Sequence, residues 1–377
     1  LTFGERDELI KLAERTINSD SKYVKHIYGQ NEAGGTSWLY ISDVPFEKLG
    51  MKTNITTTPI PHFTHEYLKH TPTIFIGGGV LFTALSIYTK RRNEIEKQKI
   101  LWKRSFGDED SYIDFYYRYR YQADQTMLLF KDNNLASMLT MIPLYLTTPD
   151  NNKLKAAMFY GIATAPEYQG YGFATKLINY CNDFLAKQDT HFSLLVPASK
   201  NLFGFYYKLG YRAIFYLRES VFTSDFANAP TPNSDYECSI VPASPEEYNS
   251  RREKLLERNF HVSYLYEDIL YQKRLAQVSG ADIYMVDLAN AYGCVAVERA
   301  NSSKVVLKEI LVPEYYLPSV LKKIVTLIPS VEYVLRTPDF IDQPGKSVVR
   351  PFGMLRCNDK DLALSVKDSG YLGLAFD

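Results

Sequence analysis

Cysteine is scarce in this chain. Cys181, Cys238, Cys294 and Cys357 are the only four in 377 residues, and residues 1–93 contain none. They are far apart and form no C-x-x-C pair, so a zinc ribbon or dithiol redox motif is excluded; buried, reduced thiols are expected. Net charge is also absent, with 43 basic against 43 acidic side chains. No global field favours nucleic acid or acidic substrates, and no nucleic-acid partner is expected. Histidine is sparse, and His62, His65 and His70 cluster near Glu66 without H-E-x-x-H spacing. That Pro/Thr-rich stretch reads as a solvated loop, and no metal is expected. Tryptophan occurs twice against 30 tyrosines, which points to half-buried aromatic packing or a tyrosine-lined substrate site. The sequence starts at Leu1, as expected of a chain that begins inside a longer open frame.

Three zones differ in character. Residues 1–70 are polar and mostly irregular, with one short helix predicted over Glu5–Ile17. Pro72 to Thr89 then carries no charged residue. As a helix it would span about 27 Å, close to a hydrocarbon core of about 30 Å. Lys90, Arg91 and Arg92 follow, and Tyr67 and Tyr88 stand where interfacial aromatics belong. Residues 71–91 therefore read as a transmembrane helix with its C-terminal side in the cytoplasm. Three consecutive glycines and several hydroxyl residues favour the competing reading, a buried core helix.

From Arg92 onward the pattern is α/β. Helices are predicted over Glu94–Arg104 and Asp108–Tyr121, and strands over Thr126–Phe130, Leu135–Leu146 and Lys155–Ala163. A helix over Gly172–Lys187 follows, with Leu177, Ile178, Cys181 and Leu185 on one face. Phe192–Val196 reads as the next strand and Asn201–Leu209 as a short helix.

The most chemically explicit segment lies between the strand ending at Thr164 and the helix after Gly172. Gln169-Gly170-Tyr171-Gly172-Phe173-Ala174 is a glycine-rich loop that opens a helix. Backbone N–H groups there have no intrahelical partners and can face an anion such as a pyrophosphate. This suggests a nucleotide-bearing cofactor.

About 25 residues on comes Leu194-Leu195-Val196, and then Tyr206-Tyr207-Lys208-Leu209-Gly210-Tyr211. Together with the loop, this resembles the Gcn5-related N-acetyltransferase (GNAT) superfamily over about residues 92–220. The resemblance implies a mixed α/β (α+β) sheet flanked by helices, and acetyl-CoA as cosubstrate. It implies that Gln169, Gly170, Tyr171, Gly172, Phe173 and Ala174 hold the pyrophosphate. The backbone of Ile162, Ala163 and Thr164 would pair with the pantetheine arm. Tyr206 matches the tyrosine that protonates the departing thiolate. The general base is open: Asp108, Glu109 and Asp110 are candidates, as is a water chain. The superfamily's first strand would fall at Ser86–Arg92, overlapping the predicted membrane helix.

Residues 231–377 echo the first half. A helix opens at Ser244-Pro245-Glu246-Glu247, and strands are predicted at Ala281–Asp287, Gly293–Glu298 and Val305–Val312. Pro313-Glu314-Tyr315 then matches Pro166-Glu167-Tyr168, before a helix over Leu317–Leu327. Pro318 stands where the phosphate loop would be, so a degenerate second GNAT-like lobe without CoA is expected. This layout, with Phe352-Gly353-Met354 near the end, resembles the enhanced-intracellular-survival-type branch of the superfamily. In that branch a terminal carboxylate can act as base, a role that would fall to Asp377.

Residues 1–90 resemble something else. Leu1-Thr2-Phe3-Gly4-Glu5-Arg6, Ile27-Tyr28-Gly29-Gln30-Asn31-Glu32 and Tyr40-Ile41-Ser42-Asp43-Val44-Pro45 precede one hydrophobic span. That order is similar to the C-terminal anchor tail of iron–sulfur electron-transfer subunits of membrane-bound hydrogenases. The cluster cysteines are missing, so no redox centre is implied.

The expected organisation is an irregular tail at 1–70, a membrane helix at 71–91, a catalytic GNAT domain at 92–225 and a degenerate lobe at 231–377. The expected activity is acetyl transfer from acetyl-CoA to a small-molecule or peptide amine. The alternatives are a non-catalytic acyl-CoA-binding module and a membrane-anchor fragment of an oxidoreductase complex. Cytoplasmic location, membrane tethering and homo-oligomerisation complete the expectations.

Overall fold

The computed structural model describes residues 1–59, 91–227, 236–358 and 369–376. The chain divides into two units, 1–89 and 90–377. In the first, α1 (Arg6–Ser19) buries only Ile17. The loops after it are held by polar anchors. Arg6 Nη2 donates to the carbonyls of Gly29 (3.1 Å) and Gln30 (3.0 Å), and buried Glu32 accepts from the Gly29 N–H at 2.7 Å.

The second unit opens with α2 (Arg91–Phe106) and α3 (Asp110–Tyr119). An antiparallel meander follows: β1 (Thr126–Lys131), β2 (Asn134–Thr147) and β3 (Lys153–Thr164). Asp132 and Asn133 form the two-residue turn between β1 and β2, both in the left-handed region at φ 49° and 62°. Asx residues tolerate that conformation, and such a turn matches strand twist. Next come α4 (Phe173–Lys187), β4 (Phe192–Leu195), α5 (Lys200–Lys208) and β5 (Arg212–Thr223). The apolar stripe of α4 is buried as its spacing predicts, with Leu177, Ile178, Cys181 and Leu185 packed on Leu139, Phe159 and Leu195.

The second half repeats this order. After β6 (Cys238–Pro242), α6 (Pro245–Leu255) starts at a capping box. Ser244 Oγ accepts the Glu247 N–H at 3.2 Å and Glu247 Oε2 accepts the Ser244 N–H at 2.9 Å. Then come β7 (His261–Ser263), α7 (Tyr266–Val278) and the meander β8 (Ile283–Leu288), β9 (Tyr292–Asn301) and β10 (Lys304–Leu311). The 3-10 turn Glu314–Tyr316 leads directly into α8 (Leu317–Leu327), and β11 (Glu332–Pro338) lies parallel to β10. The first half has the same sequence of parts: three antiparallel strands, a 3-10 turn at Pro166–Tyr168, a helix, and β4 parallel to β3. Where the first half has an exposed glycine loop, the second has buried Leu317, Pro318 and Ser319.

All strands belong to one sheet, ordered β1-β2-β3-β4-β12-β5-β11-β10-β9-β8-β6, with β7 paired to β2. Strand β12 (Val348–Cys357) lies between β4 and β5 and is antiparallel to both. The halves join edge to edge where β5 pairs with β11 over Thr223↔Glu332 to Leu217↔Pro338.

The mixed α/β sheet agrees with expectation, but the membrane helix is corrected. Among the described residues no helix is long and apolar enough to cross a membrane. The predicted span lies outside the described residues except for Arg91, and Arg91 begins α2, a charged helix of the sheet domain. The overlapping first strand expected at Ser86–Arg92 lies outside the described residues apart from Arg91 and Arg92, which belong to α2.

Candidate functional site

The parallel pair β3 and β4 holds together only over Ala156↔Phe192, Ala157↔Ser193 and Met158↔Leu194. Strand β3 continues to Thr164 without β4 beside it. A bulge sits where they part: the β2 register jumps from Thr140↔Tyr160 to Met138↔Ala163, leaving Gly161 and Ile162 opposite one residue. Gly161 has φ +59°, and a Cβ there would sit 3.2 Å from the Trp102 ring. Bulges bend a strand and end its pairing, and this position admits glycine best.

A cavity of about 690 Å³ fills the gap. Its near wall is Met158–Ile162 of β3, Val196–Ala198 after β4, and Leu202, Phe203 and Tyr206 of α5. Of the backbone expected to face a pantetheine arm, Ile162 lines this cavity. The Ala163 carbonyl accepts Ser137 Oγ at 2.7 Å, and the Thr164 carbonyl accepts Gln169 Nε2 at 3.2 Å.

That Gln169 bond ties the glycine loop to the end of β3. Residues Gln169–Gly172 are exposed, with Gly170 at φ 80° and Gly172 at φ 77°. A Cβ at either glycine would meet nothing within 4 Å, so the space over the loop is open. Gly172 is the N-cap of α4 and no side chain caps it. The first-turn amides, which include Phe173 and Ala174, therefore keep their hydrogen-bonding capacity. Lys131, at the end of β1, places Nζ 5.8, 5.7 and 5.9 Å from the ring centroids of Tyr168, Tyr171 and Phe173. This cation beside the loop was not expected, because its position depends on the β1–β2 hairpin folding back.

Tyr206 is 7% exposed and faces the cavity. Burial pushes its phenol up to about 12. Tyr211 is not a site residue: its hydroxyl is buried against Ser193 Oγ at 2.9 Å. Of the three acidic residues before α3, Asp108 lines the cavity and accepts the Trp102 indole N–H at 2.7 Å. Glu109 is exposed, and Asp110 pairs with Lys103 at 2.7 Å.

The far wall comes from the second half of the chain. Glu298 of β9, Arg336 of β11, Arg350 and Phe352 of β12, and Ala375 and Phe376 of the C-terminal segment all line it. None of these was expected, apart from a motif role for Phe352. The C-terminal segment is locked in place. Arg252 Nη2 (3.2 Å) and Tyr264 Oη (3.2 Å) donate to the Leu372 carbonyl, and Gln272 Nε2 donates to that of Ala375 (3.1 Å). Phe376 stacks on Tyr271, with centroids 5.3 Å apart at 17°. Asp377, the proposed base, lies outside the described residues. So do His62, His65 and His70; among the described residues no group of His, Cys, Asp or Glu could hold a metal ion.

Residues 87–214 match the family model described as "Acetyltransferase (GNAT) domain". Over that stretch the chain is similar to GNAT acetyltransferase domains. The match takes in β3, the glycine loop, α4, β4 and Tyr206. Much of the fold is similar to solved structures. A GCN5-related N-acetyltransferase from Anabaena variabilis superposes with a TM-score of 0.57 at 14% identity, covering 71% of each chain. A probable N-acyltransferase from Enterococcus faecalis gives 0.56 at 15% identity, covering 71% of this chain and 70% of that one. Eis1 from Mycobacterium abscessus gives 0.52 at 14%, covering 71% and 72%. At such identities the likeness concerns the fold. A Nitratidesulfovibrio vulgaris protein, described only as "Protein", is 35% identical over 100 residues, which is 26% of this chain and 27% of that relative. The hydrogenase-tail resemblance of residues 1–90 is not shown by these comparisons.

GNAT domains use acetyl-CoA, and the parts around the β3–β4 gap fit such a cosubstrate. The open glycine loop with uncapped amides suits a pyrophosphate, the edge of β3 that β4 leaves uncovered suits an amide-bearing arm, and Ile162 and Tyr206 line the same cavity.

Proposed function

We propose that the chain is an N-acyltransferase that moves an acetyl group from acetyl-CoA to an amine. The observation that supports this best is the parting of β3 and β4 after Met158↔Leu194, with Tyr206 on the wall of the resulting cavity.

In this reading the amides of Gly170–Ala174 bind the pyrophosphate, with the Lys131 charge alongside. The cosubstrate supplies an activated thioester carbonyl. Tyr206 donates its phenolic proton toward the departing sulfur. At about 12 the phenol is protonated at every working pH. It holds that proton more tightly than a thiol of pKa about 8.5 would. Handing it to the sulfur alone would be uphill, so the transfer is coupled to the amine's loss of a proton, which returns to the phenol oxygen. One amine N–H bond and the carbon–sulfur bond break, and an amide C–N bond and an S–H bond form.

An acceptor amine with a free-solution pKa near about 10.4 must first shed its extra proton. Asp108 is the carboxylate among the three sequence candidates that faces the cavity, directly or through water. The test is release of the CoA thiol from acetyl-CoA across an amine panel, with mass spectrometry of the acceptor. Amine-dependent release with an added acetyl group supports transfer. Tight CoA binding without release from any amine would leave a binding module instead.

A further inference from the structure

The cavity is lined by charges of both signs, and this bears on the acceptor. Beside the aromatic side chains Trp102, Phe106 and Tyr112 stands Asp108, on the α2–α3 side. Glu298, on the far wall, has its charge met by Lys308 Nζ at 3.3 Å. Carboxylates among aromatic faces suit an ammonium group. The β11–β12 end is the opposite. Arg336 Nε and Arg350 Nη2 both reach a single oxygen, Glu219 Oε2, at 3.1 and 2.9 Å. Both guanidiniums also lie over Phe352, at 5.7 and 5.5 Å from its centroid. Arg350 spends one donor on that shared oxygen and lines the cavity with a planar fork that matches a carboxylate.

We infer that the acceptor carries an anionic group as well as its amine, and that it is an amino acid or short peptide whose carboxylate is taken by Arg350. The inference rests on the transferase reading above. A polycationic acceptor would bring like charge against Arg350, and an apolar amine would take water from the donors Arg350 does not spend on Glu219. A molecule with both charges can meet Asp108 with its amine and Arg350 with its anionic group. The arginines come from the second half of the chain, so that half would set acceptor choice while the first half holds the donor.

The experiment compares matched acceptors: each of several amino acids, its decarboxylated amine and its primary amide. Binding to the CoA-loaded protein is read by calorimetry and turnover by thiol release. The carboxylated member of at least one set should bind at least about tenfold more tightly, as expected for a charged hydrogen bond. Arg350→Ala should remove that preference, raising KM for the carboxylated acceptor at least about tenfold more than for the decarboxylated amine, with CoA affinity unchanged. If Arg350→Ala fails to fold, Arg350→Gln serves, with unchanged CoA affinity as its folding control. Equal or tighter binding of the decarboxylated amines overturns the inference, as does an equal loss for all three acceptor types. Preferential carboxylate binding without turnover would keep this inference and refute the transferase reading. Turnover of amines without carboxylate preference would do the reverse.

Discussion

Tyr206 and Tyr207 are adjacent in sequence and face opposite environments. Tyr206 is 7% exposed and lines the cavity, whereas Tyr207 is 58% exposed and packs its ring against the Arg212 guanidinium at 4.1 Å. A helix turns roughly 100° per residue, so only one of two neighbours can point into the gap between β3 and β4.

Tyr206→Phe should therefore lower kcat by about 100-fold or more, the lower range for loss of a general acid. CoA affinity should be unchanged, and Tyr207→Phe should alter kcat by less than about twofold. Because burial holds the Tyr206 phenol at about 12, the wild-type rate should show no falling limb from this group up to pH ~11. Steady-state rates across pH for the three proteins check this.

The loop makes a separate prediction. Gly172 has φ 77° at the N-cap of α4 with open space around it, so Gly172→Ala adds backbone strain without a clash. It should cost about 1–2 kcal/mol of stability and weaken CoA binding. Lys131→Ala should leave stability unchanged and weaken CoA by a few-fold, an effect that shrinks as salt rises. Denaturant titration and calorimetry at two ionic strengths separate the two.

Arg252 and Glu309 form a fully buried ion pair at 2.9 Å, and the same guanidinium holds the Val262 and Leu372 carbonyls. Removing one partner leaves a buried charge alone, so Glu309→Ala should cost about 3–5 kcal/mol. The same change should loosen the segment carrying Phe376, the cavity's aromatic wall. Urea unfolding gives the first quantity, and hydrogen exchange at Tyr371–Phe376 gives the second.

Glu253 gives an acid limb. Burial alone would raise its carboxyl, but bonds from His261 and Ser263 and the Arg252 charge outweigh it and hold the group at about 2. Its folded value lies below the ordinary Glu value of 4.5, so its contribution is present above pH ~4.5 and lost as pH falls toward ~2. That contribution is at most roughly 3 kcal/mol. Glu253→Gln should flatten stability over that window and leave it less changed in slope above pH 5, as read by thermal melts across pH.

Much of the secondary structure around the glycine loop was legible because its signals are local. The Asp132-Asn133 turn, the α4 stripe and the glycine loop each declare themselves within a few residues. The echo of Pro166-Glu167-Tyr168 in Pro313-Glu314-Tyr315 was legible as well, and both begin 3-10 turns. Strand β12 was not read as a strand. Pro351 sits inside it, which argues against a central strand, and its partners Leu195 and Phe215 are distant in sequence. The register slips at Pro351–Gly353 show how the proline is accommodated. Glu298, Arg336 and Arg350 were missed for a related reason. A lone charge in a strand reads as a solvated face until the topology brings β9, β11 and β12 to one cavity. The apolar run at 72–89 misled through composition: length and hydropathy favoured a membrane helix, and no described helix bears that out.

The central claim is that the β3–β4 gap holds the thioester beside Tyr206. The most direct measurement is a crystal structure with CoA bound. The account predicts the pyrophosphate on the amides of Gly170–Ala174 and the sulfur within hydrogen-bond reach of the Tyr206 hydroxyl. CoA bound away from the glycine loop, or a sulfur pointing away from Tyr206, would contradict it.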